Sequence, residues 1–347
     1  MRFSPRFTLT DRINSALTKI ERARGFLDAA RLSEGWIARM QARALVVEAH
    51  STTHIEGTHL TLEQAERLLA GKRVAAADPD DARELLNYRG AFDVVADYLG
   101  SGRPVTEGLI REIHRRLVQG VRGDRAVPGE YRLVQNYVAA ASGKIVYTPP
   151  APHDVPHLMR ALVAWLNEEH VTNAVLVAGI AQFQLASIHP FVDGNGRTAR
   201  LLSALCLYRA GYDFKRLFTI SEYYDRDRAA YYRALKSVQE AGQDLTAWLE
   251  YLSGGLAAQM LEVQERGKTI IRHDVLVQRH ELSARQEAAL AFASEHKSLD
   301  IRNYEKLYPT VNRRTLQRDL KDMVERGLLV PWGDTNQRIY ALGPKAK

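Results

Sequence analysis

Two apolar stretches, Leu176 to Ile188 and Leu201 to Tyr208, flank a loop that reads His189-Pro190-Phe191-Val192-Asp193-Gly194-Asn195-Gly196-Arg197-Thr198-Ala199-Arg200. Both stretches read as helices destined for the interior, so the fold must hold this polar loop between two buried helices. An ordinary surface turn needs the Asp-Gly and Asn-Gly pairs but has no use for a histidine and two arginines. Together these residues suit phosphate. Glycines let backbone N–H groups approach anionic oxygens, a carboxylate can hold a divalent cation, arginines neutralise charge, and a histidine takes a proton near neutral pH. The stretch Thr198 to Leu207 reads as a helix whose positive N-terminal end faces the loop.

The segment fills every specified position of the pattern His-Pro-Phe-x-Asp/Glu-Gly-Asn-Gly-Arg-x-x-Arg and so resembles the Fic family, α-helical enzymes that mostly transfer AMP from ATP to a protein hydroxyl. The resemblance implies that His189 is the general base, for which an imidazole pKa of about 6.5 is well placed. It implies that Asp193 holds Mg²⁺ (or Mn²⁺) against the phosphates. Gly194, Asn195 and Gly196 would form the anion cradle, Arg197 would contact the phosphates, and Arg200 would reach the γ-phosphate. Phe191 would pack the loop on the core. The motif is intact in its central Gly-Asn-Gly, which favours AMP over the other groups that family members transfer; the motif reads phosphates and leaves the base open.

Gly129 to Arg132, Asn136 to Val138, a turn at Ser142-Gly143 and Lys144 to Pro150 read as two short extended runs around a turn. They resemble the family's flap, which adds a strand to the target's backbone; Lys144, Ile145, Val146 and Tyr147 would carry that contact. A hairpin that only finishes a domain edge is the other reading. Tyr231 and Tyr232 lie in a segment similar to the one that walls the family's adenosine pocket, although tyrosines at helical spacing also serve as core.

Ser51-Thr52-Thr53-His54-Ile55-Glu56-Gly57-Thr58 resembles the family's inhibitory motif, with Thr52, Glu56 and Gly57 at its specified positions. The resemblance pairs Glu56 with Arg200. A carboxylate and a γ-phosphate would then compete for one guanidinium, which satisfies only one planar bidentate partner well. A threonine-capped helix end is the plainer reading of the same residues. In some relatives the same glutamate serves the reverse reaction, so a de-AMPylase using Glu56 stays open.

Composition fits a folded protein: of 347 residues, 46% are hydrophobic and 26% charged. No apolar run is long enough to span a bilayer, and the first residues do not read as a signal peptide, so a cytoplasmic protein without membrane contact is expected. Cys206 is the lone cysteine, which excludes an internal disulfide. Gly267-Lys268-Thr269 echoes a phosphate-binding loop, but Glu262 stands where its first glycine should be. His50, His54 and His59 have metal-like spacing without the companion ligands of a zinc site.

The fold class expected is mainly α: a Fic-type helical bundle with a small β-hairpin flap, plus a C-terminal winged helix-turn-helix domain. The boundaries expected are 1–100 for an N-terminal helical region with the inhibitory motif, 101–264 for the catalytic core, 265–281 for a linker or helix, and 282–347 for the winged helix. In that last part helices are expected at Ser283 to Glu295, Arg302 to Leu307 and Arg313 to Gly327, followed by strands at Leu328 to Val330 and Arg338 to Leu342 around a turn at Gly333-Asp334. Four of the seven net positive charges fall there. Arg314, Arg318 and Lys321 would share the face of the third helix opposite Leu316, Leu320 and Val324, at spacing suited to a DNA groove. Asp319, Asp322 and Glu325 dilute that stripe, and winged helices also make protein contacts. The functional expectation is an autoinhibited protein AMP transferase using ATP and acting on a Tyr, Thr or Ser hydroxyl of a target protein, itself included. A nucleotide-responsive DNA-binding regulator is the alternative, and a homodimer is compatible with the family.

Overall fold

The computed structural model describes residues 3–99, 102–121, 125–139, 143–212, 214–333 and 338–346. It divides into two compact units, Met1–Gln264 and Glu265–Lys347.

The first unit is helical and is built on two helices that need no amphipathic face. α7 (Ala174–Ile188) buries residues on all sides, from Val175 through Phe183 to Ile188, and α8 (Asn195–Arg209) buries most of its length beside it. A helix apolar all round can only be central. The others wrap this pair: α1 (Asp11–Ala29), α2 (Glu34–Ile55), α3 (Leu62–Leu69), α4 (Pro79–Leu99), α5 (Glu107–Val118), α6 (Val155–Leu166), α9 (Ile220–Arg226), α10 (Arg228–Glu240) and the start of α11 (Thr246–Arg279). Contacts of α4 and α5 with α8, and of α2 with α4 and α9, put the end of α2 near the loop between α7 and α8. Close approach of α11 to α7 depends on Gly179, where a Cβ would come within 2.8 Å of Leu249 Cδ2. There the Gly179 carbonyl accepts from Trp248 Nε1 at 2.8 Å.

Side-chain caps start many of these helices. Thr10, Ser33, Thr61, Thr106 and Asn173 each accept from a backbone N–H two or three residues on, and Thr61 and Gln64 complete a reciprocal capping box. The hairpin is small: β1 (Val138–Ala139) runs antiparallel to β2 (Ile145–Tyr147), Val138 opposite Tyr147.

Three features differ from the sequence reading. α1 was not anticipated, although Ile13, Ala16, Ile20, Ala23 and Leu27 form its buried stripe. α9 was not anticipated either. The sequence shows helical periodicity from Ser33 only to His50, but α2 runs on through Thr52 and Thr53 to Ile55. The segment 265–281, expected as a linker or helix, lies in α11 as far as Arg279, and Gly267-Lys268-Thr269 is in mid-helix, where its backbone N–H groups bond within the helix.

The second unit contains α12 (Ala284–His296), β3 (Leu299–Asp300), α13 (Ile301–Leu307), α14 (Arg313–Glu325), β4 (Leu329–Trp332) and β5 (Ile339–Leu342). The strands form an antiparallel sheet in the order β3-β5-β4. Its own core gathers Leu290, Leu299, Tyr304, Leu316, Leu320, Met323 and Leu329. Ser142 and Asp334, expected in turns, lie outside the described residues.

Candidate active site

α7 ends at His189, which takes the left-handed conformation at φ 51° and ψ 56°, and Pro190 then prevents the helix from resuming. A non-glycine residue in that region costs about 1 kcal/mol or more and persists only where surroundings fix it. Arg132 does so. Its Nε donates to the His189 carbonyl at 2.8 Å, its Nη2 to the Pro150 carbonyl at 2.5 Å, and its backbone N–H to the Pro190 carbonyl at 2.9 Å. The imidazole Nδ1 lies 3.1 Å from the Ala186 carbonyl. A carbonyl can only accept, so Nδ1 carries the hydrogen and Nε2 presents a lone pair. Burial lowers the His189 pKa, partly opposed by the Ala186 carbonyl and Glu56, so the neutral, basic form prevails at neutral pH.

The loop is braced from inside. Asn195 Oδ1 accepts from Phe191 N at 2.9 Å and its Nδ2 donates to the Phe191 carbonyl at 2.9 Å, so this amide side chain closes the loop instead of facing a ligand. Only its backbone N–H is left for an anion cradle. The Phe191 ring stacks on His114 at 3.7 Å. His114 is fully buried, accepts at Nδ1 from Gly129 N at 3.0 Å and therefore donates from Nε2 to the Asp193 carbonyl at 2.9 Å. Desolvation pulls its pKa down to about 4, which keeps that donor–acceptor pattern intact at neutral pH.

Gly194 caps α8 at φ 75°, and a Cβ there would sit 2.7 Å from Val118 Cγ1. The first N–H groups of a helix have no partner within it, and the macrodipole adds positive potential, so the start of α8 suits an anion. Asp193 stands beside it with its side chain 46% exposed, Oδ1 accepting from Gly194 N at 2.6 Å. One carboxylate completed by phosphate oxygens and water is how Mg²⁺ commonly sits with a nucleotide, so these residues fit that ion. Among the described residues no cluster of three or more His, Cys, Asp or Glu could hold a metal unaided, and the His50, His54 and His59 spacing leads to none.

The two arginines face different carboxylates. Arg200 is buried and donates from Nη2 to Glu56 Oε1 at 2.6 Å, from Nε to Thr52 Oγ1 at 2.7 Å and from Nη2 to the Thr52 carbonyl at 3.0 Å. Burial opposes its charge, but Glu56 and Tyr231 more than offset this and raise its pKa. Glu56 is the C-cap of α2, and Gly57 at φ 105° turns the chain away. Arg197 donates from Nη1 to Glu84 Oε2 at 2.6 Å, both side chains being 2% exposed.

Around this centre Tyr231 is buried, stacked on Tyr224 at 4.5 Å, whereas the Tyr232 ring is 49% exposed. Lys144, Ile145 and Val146 are exposed on β2 and the residue before it, and Tyr147 is anchored by its hydroxyl donating to the Ser187 carbonyl at 2.7 Å. The structure thus gathers His189, Asp193, Arg197, Arg200, Thr52 and Glu56, with the hairpin tied to the end of α7. Arg314, Arg318 and Lys321 belong to the second unit. Sequence reasoning gave no site role to Glu84 and His114, single polar residues in helices with no motif of their own, nor to Arg132, which it placed in the flap-like run without a role.

Comparison with known proteins accounts for this arrangement. Residues 104–207 match the family described as Fic/DOC. The chain contains a Fic/DOC domain over those residues. Over 199 residues it is 35% identical to the protein adenylyltransferase Fic of Drosophila sechellia and 34% to that of Drosophila yakuba, in each case over 56% of this chain and 39% of the relative. It therefore spans about two fifths of the length of the curated relatives it matches. Among solved structures, a Fic family protein from Desulfovibrio desulfuricans shares the fold at a TM-score of 0.67 and 22% identity, over 99% of both chains. A Fic domain containing signaling protein from Bacteroides thetaiotaomicron is similar at 0.62 and 25%, over 74% of this chain and 97% of its own. Fic-1 from C. elegans is similar at 0.62 and 25%, over 74% of each chain. No helix among the described residues is long and apolar enough to cross a membrane.

Proposed function

We propose that this chain is a protein AMP transferase whose phosphate site is closed by its own Glu56. The observation that carries the reading is the buried Arg200 held at 2.6 Å by Glu56 within the loop that also presents the Nε2 lone pair of His189. The substrate would be ATP. A target hydroxyl oxygen attacks the α-phosphorus as His189 Nε2 takes its proton; the bond from that phosphorus to the oxygen bridging to the β-phosphate breaks, and pyrophosphate leaves. The backbone N–H groups at the start of α8 stabilise the charge that develops on the phosphoryl oxygens. Asp193 would hold Mg²⁺, which when bound screens the phosphates. Lys144, Ile145 and Val146 offer an exposed strand for the target backbone, and Tyr232 offers an exposed ring at the nucleotide's edge. With Glu56 on Arg200, the γ-phosphate loses its guanidinium and the α-phosphorus is not aligned for attack.

The test is incubation of the Glu56→Gly protein with α-labelled ATP and Mg²⁺, followed by mass spectrometry of the protein and of a mixture of candidate targets. The expected result is a gain of AMP on a Tyr, Thr or Ser, abolished by adding His189→Ala. Loss of AMP from a pre-modified target, faster with Glu56 present than with glycine, would favour the reverse reaction.

A specific observation favours a second activity for the C-terminal unit. The order helix, strand, helix, helix, strand, strand with sheet order β3-β5-β4 supports reading it as a winged helix. On α14 two of the acidic residues that would weaken a DNA-binding face are turned to partners off it, Asp319 to Arg285 at 2.9 Å and Asp322 to Arg326 and Gln286, whereas Glu325 pairs with Lys321 at 3.7 Å and leaves Arg314 and Arg318 as the cations of that face. Arg314 and Arg318 are exposed and have no acidic partner among the described residues. Duplex DNA is the partner this charge separation fits. A gel shift weakening steeply with salt, and lost in Arg314→Ala/Arg318→Ala, supports it; binding indifferent to salt and to both substitutions rejects it.

A further inference from the structure

Both arginines of the loop meet a carboxylate from outside it at the same 2.6 Å, yet the two pairs are built differently. Glu56 sits at the end of α2 with its side chain 24% exposed and a left-handed glycine after it, so it can leave Arg200 without unpacking a helix. Glu84 lies inside α4, on the buried face it shares with Leu85, Tyr88, Ala91 and Val95. Neither Glu84 nor Arg197 can turn away without opening the contact between α4 and α8 and stranding two buried charges. The first pair is a latch. The second is a strut.

What the strut supports is Asp193. Arg197 Nη2 lies 3.8 Å from Asp193 Oδ2. An uncompensated guanidinium there would turn onto the carboxylate, neutralise it and repel a divalent cation. Glu84 takes up the charge of Arg197 and fixes its orientation, while His114 holds the main-chain carbonyl of Asp193 from the other side. Arg197 Nε is buried with no hydrogen-bond partner among the described residues, so on that edge nothing competes with Glu84 for the guanidinium. We propose that Glu84 is a positioning residue for the cation site: it holds Arg197 as an interior strut beside Asp193, and Arg197 does not reach the nucleotide. The proposal rests on the AMP-transfer reading for the presence of a cation, but its measurements are separate.

The test uses the full-length Glu56→Gly protein. Mn²⁺ binding to the protein–ATP complex is followed by electron paramagnetic resonance, and ATP-analogue binding in EDTA by fluorescence. Outer partners of a metal ligand commonly tune affinity 10- to 100-fold. Glu84→Gln is expected to weaken Mn²⁺ binding by about tenfold or more, with nucleotide affinity in EDTA changed by less than about twofold. The double variant Glu84→Gln/Arg197→Met removes the stray guanidinium and leaves no buried unpaired charge, so it should fold and recover most of the Mn²⁺ affinity. If Glu84→Gln alone does not fold, the double variant decides. Unchanged Mn²⁺ affinity in Glu84→Gln overturns the proposal, as does tighter ATP binding, or loss of ATP binding in the double variant, since either would make Arg197 a nucleotide ligand. Absence of AMP transfer by the Glu56→Gly parent defeats the functional reading instead; an active parent with the wrong Mn²⁺ response defeats only the strut.

Discussion

Gly196 vacates the space that Glu56 fills: a Cβ on residue 196 would lie 2.3 Å from Glu56 Oε1 and 3.2 Å from Arg200 Nη1. The Glu56 carboxylate is thus admitted beside Arg200 by a missing side chain on α8. Gly196→Ala should destabilise the wild-type protein by about 1 to 3 kcal/mol, because the ion pair must shift, and should cost much less in a Glu56→Gly background. Chemical denaturation of the four proteins in this cycle measures the coupling. A Gly196→Ala penalty that is the same in both backgrounds would mean that Glu56 is not the residue displaced.

Thr52 gives Arg200 a second hold through its hydroxyl at 2.7 Å. Thr52→Val removes a hydrogen bond to a charged donor, which contributes about 1.5 to 3 kcal/mol, and leaves Nε unpaired in the interior. Stability should fall by roughly that amount, and basal AMP transfer should rise less than it does in Glu56→Gly, since the carboxylate remains. Transfer rates measured side by side would show the order; a Thr52→Val rate above that of Glu56→Gly would contradict it.

His114 makes stability depend on acidity. Its pKa in the fold is about 4, against about 6.5 in an unfolded chain, so as pH falls the unfolded state binds the proton first. Stability present above pH 6.5 is lost between 6.5 and 4, by up to about 3 kcal/mol. His114→Gln should flatten the dependence of Tm on pH across that window, leaving the part due to His189, whose pKa burial also lowers. A slope identical to that of the wild type would remove His114 from the account.

Arg132 joins the hairpin to His189 through the carbonyls of His189 and Pro150. Arg132→Lys keeps a charge but not the planar fork that reaches both. In the Glu56→Gly background it should lower kcat by about 10- to 100-fold, through misplacement of the imidazole, with little change in nucleotide affinity. Steady-state kinetics with a fluorescent ATP analogue separates the two; equal losses in kcat and affinity would assign Arg132 to ATP instead.

The loop from His189 to Arg200 and the motif from Thr52 to Gly57 could be read directly because each is a contiguous run whose residue types have few other joint uses. The central pair α7 and α8 was legible for a related reason, being apolar beyond what any surface helix needs. Glu84, His114 and Arg132 were not. Each is one polar residue among apolar or charged neighbours on a helix or in a loop, and its meaning comes from partners 113, 79 and 57 positions away. α1 was missed because its buried stripe includes two alanines, which mark a core face weakly. The helical periodicity that begins at Ser33 fades after His50 because Ser51, Thr52 and Thr53 resemble a cap, whereas Thr53 returns its hydroxyl hydrogen to the Ala49 carbonyl and the helix continues to Ile55.

In the proposed mechanism Arg200 serves either Glu56 or the γ-phosphate. The most direct measurement is the initial rate of label transfer from α-labelled ATP, with Mg²⁺, by the wild-type protein and by Glu56→Gly at equal concentration. The rate expected for Glu56→Gly is about tenfold or more higher, corresponding to at least about 1.4 kcal/mol of released inhibition. Equal rates in the two proteins would contradict it.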